Sequence, residues 1–82
     1  MTRYVLLNAN KTIQLVNMPL DKHLFNPVDS ITDRICTVVS FETGSMVNEF
    51  EIGDKVRKAW ENGYTESELV INNKNYFLLF ID

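Results

Sequence analysis

His23 and Cys36 are the only histidine and the only cysteine in the chain. Together with an Asp or Glu they could form a nucleophile, a base and an orienting carboxylate. Cys36 sits inside an alternating apolar stretch, however, and no local motif accompanies it; His23 reads as an ordinary loop histidine. One Cys and one His fall short of the ligand set that zinc requires, so no metal site is expected. Gly44, Gly53 and Gly63 are too widely spaced to build a phosphate-cradling loop or a dinucleotide fingerprint, and no cofactor is expected. Glu66 and Glu68 alternate on one strand face, where paired carboxylates can do acid–base work, yet a solvated strand end accounts for them equally well. The residue types therefore point away from an enzyme.

Charge placement is more informative. Between Ile35 and Asp54 there is no Lys or Arg, while Glu42, Glu49, Glu51 and Asp54 are all acidic; Lys55, Arg57 and Lys58 follow at once as a basic cluster. Carboxylates mixed with apolar side chains suit a basic, partly apolar protein partner. The cationic cluster, with Trp60 nearby, is the feature that would serve a nucleic-acid-binding module. Its footprint is small, and a net charge of −3 opposes general phosphate affinity.

The elements that must position these groups are read from periodicity. Tyr76–Ile81 is an unbroken apolar run, expected to be a central strand covered on both faces. Ser67–Ile71 precedes it across Asn72–Asn75, a hairpin signal that places Ile71 opposite Tyr76 and Leu69 opposite Leu78. Arg3–Leu7 and Thr12–Val16 flank Asn8–Lys11; closing at Ala9–Asn10 pairs Leu6 with Ile13 and Tyr4 with Leu15. Asn17–Thr32 holds Pro19, Pro27 and His23. It reads as a long connection with one helical turn over Leu20–Phe25, after which Asn26–Pro27 turns the backbone extended. Its apolar members Met18, Leu20, Leu24, Phe25, Val28 and Ile31 either seal a sheet face or form a recognition loop.

For Arg34–Ile52 two readings compete. A helix from Ser45 would align Met46, Phe50, Gly53, Val56 and Trp60. A hairpin closing at Thr43–Gly44 pairs Phe41 with Met46, Thr37 with Phe50 and Ile35 with Ile52, and it avoids a glycine inside a helix; the hairpin is preferred. It puts Glu49 and Glu51 on one outward face near Cys36 and Val38. A short helix Lys55–Asn62, capped by Asp54 and ended by Gly63, would then carry Trp60 onto the sheet. Its basic start would oppose the helix dipole. Phe77, Leu78 and Phe80 are expected in the core.

An 82-residue chain with 45% hydrophobic and 11% aromatic residues makes one globular α+β domain. A domain of this size buries only roughly 60–65% of its unfolded surface, so association with a second copy or a partner would help. The expected architecture is a single antiparallel sheet of five or six strands, built from hairpins and packed against one helix. No stretch approaches a membrane span, the opening Met1–Tyr4 leads into a strand and not a signal peptide, and the lone Cys36 fits a reducing cytoplasm. The abundance of Asn, Ile and Lys suits an AT-rich bacterial or phage genome. The functional expectation is a small protein-binding regulator or inhibitor. Leu24 and Phe25 would be its anchors and Glu42, Glu49 and Glu51 its steering charges, directed at a larger protein with a basic surface, such as one that holds nucleic acid. The alternative is a nucleic-acid-binding accessory module using Lys55, Arg57 and Lys58.

Overall fold

The computed structural model describes residues 3–20, 26–63 and 66–81. The order of elements is β1 (Arg3–Leu7), β2 (Gln14–Pro19), α1 (Pro27–Thr43), α2 (Glu49–Asn62), β3 (Glu66–Ile71) and β4 (Lys74–Ile81). All pairings are antiparallel, in the order β2-β1-β4-β3. The protein is thus α+β, but with four strands and two helices among the described residues in place of five or six strands and one helix.

The third hairpin does not exist. Its alternation is overridden by a helical period: Ile31, Ile35 and Val39, at i, i+4 and i+8, are all buried along α1. The ends carry the signals that sequence reading assigned otherwise. Asn26 is the N-cap, its Oδ1 accepting from the Asp29 N–H at 3.2 Å while its Nδ2 donates to Asp29 Oδ2 at 2.9 Å. Pro27 stands at the first helical position, where its missing N–H costs nothing. Gly44 ends α1 at φ +69°. Val28 and Ile31 therefore belong to a helix, not to a loop. The β-branched residues that lower intrinsic helix propensity are retained because their branched faces pack the core.

The second helix also starts earlier than expected. Asn48, not Asp54, is its cap, accepting from the Phe50 and Glu51 N–H groups at 3.0 and 3.2 Å. Ile52, Val56 and Ala59 form its buried face, and the chain leaves it at Gly63 as anticipated. Gly53 is interior to α2, where it faces the Thr32 side chain of α1.

The sheet's outer hairpins differ in register from the sequence reading. Asn8 Oδ1 accepts from the N–H groups of both Thr12 and Ile13, and Lys11 takes φ +59°, so the β1–β2 connection is a structured loop and not a two-residue turn. Leu6 consequently pairs with Val16 and Tyr4 with Met18, which turns Val16 inward and leaves Ile13 exposed. In the C-terminal hairpin Asn72 and Asn73 both adopt left-handed angles, the geometry of a tight primed turn, so Ile71 pairs with Lys74 and Leu69 with Tyr76. The inward set Leu69, Ile71, Tyr76 and Leu78 survives this shift.

β4 is central, between β1 and β3. Among the described residues it is covered by helices on one face only. Tyr4, Leu6, Val16, Leu69, Tyr76 and Leu78 join Ile31, Ile35, Val39, Ile52 and Val56 in one core cluster, while Leu7, Phe77 and Leu79 lie outside it. Of the three expected core residues, Leu78 is fully buried, Phe80 is partly buried against the cluster, and Phe77 points to the opposite face. Trp60 meets Phe80 edge-on, with ring centroids 5.4 Å apart, but keeps 39% of its surface exposed.

Two stability measurements check this packing. Leu78→Ala removes a fully buried side chain and should cost about 2–5 kcal/mol in chemical denaturation. Gly53→Ala should stabilise by about 0.5–1 kcal/mol, because a helix-interior glycine is replaced without strain. The added methyl would meet Thr32 Cγ2 at an ordinary 3.6 Å. A lower denaturation midpoint for Gly53→Ala would mean that α1 and α2 leave no room for the methyl beside Thr32.

Candidate functional site

One end of the molecule gathers three connections: the β1–β2 loop, the β3–β4 turn and the α1–α2 loop. Asn72 Nδ2 donates to the Met46 carbonyl at 3.4 Å, joining the last two. Glu42, Asn8, Ala9, Asn10 and Asn73–Tyr76 line a recess of about 620 Å³ between them. At this end Phe41, Met46 and Phe50 are 91%, 92% and 83% exposed.

That exposure follows from helix geometry. Phe41 lies on the side of α1 opposite Val39, and Phe50 on the side of α2 opposite Ile52, because residues two apart on a helix point roughly 200° apart. The hairpin reading had turned Phe41, Met46 and Phe50 inward. The signal that could have revealed them was the i, i+4 repeat of Ile31, Ile35 and Val39, which leaves Phe41 no place in the core.

The expected anchors Leu24 and Phe25, together with His23, lie outside the described residues. The acidic residues are exposed but do not share one face. Glu49 and Glu51 occupy the first turn of α2, where they complement the positive end of its dipole. Glu51 also approaches Lys55 at 3.6 Å. Glu42 differs: it stands in the last turn of α1, which has no basic residue, and so opposes the helix dipole.

The basic cluster is largely engaged. Lys58 pairs with Asp54 at 3.2 Å, and Lys55 donates to the Val70 carbonyl at 2.8 Å besides meeting Glu51. Arg57 is the member without an ion pair among the described residues. Because α2 begins at Glu49, these cations sit within the helix and do not oppose its positive end, which removes the electrostatic anomaly that the sequence suggested.

A second recess, of about 430 Å³, lies between β2 and α1, with Tyr4, Leu20, Asp33 and Arg34 in its walls. Burial raises the Tyr4 pKa, and the neighbouring Arg34 guanidinium partly offsets that rise. Cys36 is half-buried on α1; burial pushes its thiol up, and the carboxylates of Glu49 and Asp33 push it further. Such a thiol is a poor nucleophile. Among the described residues no cluster of His, Cys, Asp and Glu is placed to hold a metal ion, and no helix is long and apolar enough to cross a membrane.

The raised thiol pKa has a kinetic signature. At neutral pH Cys36 should be alkylated more slowly in the folded protein than in denaturant, because a smaller thiolate fraction reacts. The folded-state rate should still be climbing at a pH where the unfolded rate has levelled. Equal rates in the two states would contradict the described environment.

Comparison with protein-family models, with curated proteins and with solved structures yields no significant match, so the geometry of this end of the molecule is what bears on function.

Proposed function

We propose that this protein is a small non-catalytic binding regulator or inhibitor, which covers a basic, partly apolar surface of a larger protein with the end of its helical hairpin. The observation that carries the reading is the near-complete exposure of Phe41, Met46 and Phe50 beside Glu42 and Glu49. Large apolar side chains held out into water raise no stability of the free chain, and aromatic residues of this kind act as anchors when a partner desolvates them. The adjoining carboxylates select a cationic partner and speed its encounter. A protein groove that otherwise holds nucleic acid has the matching chemistry, with cations for phosphates and apolar or aromatic side chains for bases.

A designed amphipathic helical peptide of Leu and Arg is a direct probe, with its Leu/Glu counterpart as control. The Leu/Arg peptide should bind in fluorescence anisotropy, and added salt should slow its association. The double variant Phe41→Ser/Phe50→Ser should weaken binding by about tenfold or more. Its thermal midpoint should hardly move, since both side chains are exposed. Wild-type affinity in the double variant would overturn this surface, and equal binding of the Leu/Glu peptide would overturn its charge selectivity.

A further inference from the structure

Tyr76 is the buried polar side chain that the fold leaves unexplained. It is 1% exposed, and its hydroxyl has no hydrogen-bond partner among the described residues. Native proteins rarely leave such a group unpaired, because a buried donor without an acceptor forfeits its hydration for nothing. Tyr76 also lines the recess under the last turn of α1, together with Asn10, Glu42, Asn73, Lys74 and Asn75. The Glu42 carboxylate is near enough to add to the rise that burial imposes on the Tyr76 pKa. No hydrogen bond joins the two, and Glu42 has no ion-pair partner among the described residues.

Three features give this recess one sign of preference. Glu42 brings a full negative charge. The last turn of α1 brings the negative end of a helix dipole with no basic residue to offset it. The carboxamide oxygen of Asn73, in the turn, is an acceptor with no partner among the described hydrogen bonds, whereas the Asn10 oxygen already accepts from Thr12, and Asn75 alternates to the other sheet face. Lys74 is the one cation in the wall, and it makes no ion pair there. It acts as a competitor for Glu42.

We propose that this recess receives a guanidinium group, in the setting of the binding function above an arginine side chain of the partner, with Glu42 as its counter-ion and Tyr76 as the positioning residue for Glu42. A planar guanidinium can engage the carboxylate with two parallel N–H donors and turn a remaining donor to the Asn73 carboxamide oxygen. The entering cation draws Glu42 inward over the Tyr76 hydroxyl, which then donates to the carboxylate and loses its unpaired state. The buried hydroxyl, which has no protein partner among the described residues of the free chain, thus gains one in the complex. This inference rests on the proposed protein-binding function for the identity of the cation's carrier, but not for the site itself.

Arginine amide, followed by heteronuclear NMR titration of the full chain, is the probe. Shift changes should be confined to Glu42, Asn8–Asn10 and Asn73–Tyr76. Glu42→Gln should weaken binding by about tenfold, and Lys74→Ala should strengthen it. Tyr76→Phe should weaken binding by a few-fold while leaving the thermal midpoint unchanged or raised, because it deletes an unpaired buried donor. A Tyr76→Phe protein that melts markedly earlier would show that the hydroxyl is already satisfied, and would overturn the positioning role. Saturable shifts with a neutral sugar but not with arginine amide, or unaltered binding in Glu42→Gln, would overturn the site. Phe41→Ser/Phe50→Ser should leave arginine amide binding intact. With the unsubstituted chain, failure of the Leu/Arg peptide alone to bind therefore counts against the docking surface, and failure of arginine amide alone to bind counts against the recess.

Discussion

The pairing of β1 with β4 is the interaction on which the rest of the structure depends. It joins the first and last strands of the chain at the centre of the sheet, with Leu6 opposite Leu78 and Tyr4 opposite Phe80. Each outer hairpin can close locally, but a hairpin alone is marginal in water. The long-range pairing merges them into one four-stranded surface. Only then do Tyr4, Leu6, Leu69, Tyr76 and Leu78 form a continuous apolar face against which the α1–α2 pair can bury Ile31, Ile35, Val39, Ile52 and Val56. The entropy of closing nearly the whole chain into a loop is offset by this shared core, which neither hairpin nor helix pair could provide separately.

Both described helices, α1 and α2, pack on the same face of the sheet. The far face of the sheet is handled by its own side chains. Val5 is buried among its strand neighbours, whereas Leu7, Phe77 and Leu79 stay half-covered. Lys11 lies over the Phe77 ring, its ammonium 4.4 Å from the ring centre, and pairs with Glu66. A surface cation with its aliphatic stem across an aromatic ring shields apolar area while remaining hydrated. The continuous apolar run of β4 thus reflects a strand that is central in its sheet but, among the described residues, screened by helices on one side only.

Helix-end electrostatics sort the acidic residues that look alike in sequence. Glu49 and Glu51 near the Asn48 cap are placed as a stable α2 would have them, and Lys55 and Lys58 complete i, i+4 pairs further along. Glu42 has no such justification, and it stands beside the Tyr76 hydroxyl, the one buried hydroxyl without a partner among the described residues. Residues that oppose local stability are the ones for which function is the natural explanation. That contrast separates a recess with a charge preference from an ordinary solvated helix face.

The sequence by itself determined the α+β class, the central position of β4, the inward faces of its hairpin, and the end of α2 at Asn62–Gly63. Each rests on a local signal: an apolar run, a two-residue period, or a glycine where the backbone turns left-handed. It also held the charge segregation between Ile35 and Lys58. The tertiary structure alone decided the segment from Pro27 to Asn48. Ile35, Thr37, Val39 and Phe41 satisfy a strand alternation, while Ile31, Ile35 and Val39 satisfy a helical repeat. Local propensity favours the strand because these residues are β-branched or aromatic. The helix wins because its buried stripe packs simultaneously on the sheet and on α2, a gain that no window of sequence displays. The same decision reversed Phe41, Met46 and Phe50 from core to surface. It also separated Glu49 from Glu51 and set Glu42 above Tyr76, so the candidate site exists only once the helices have docked.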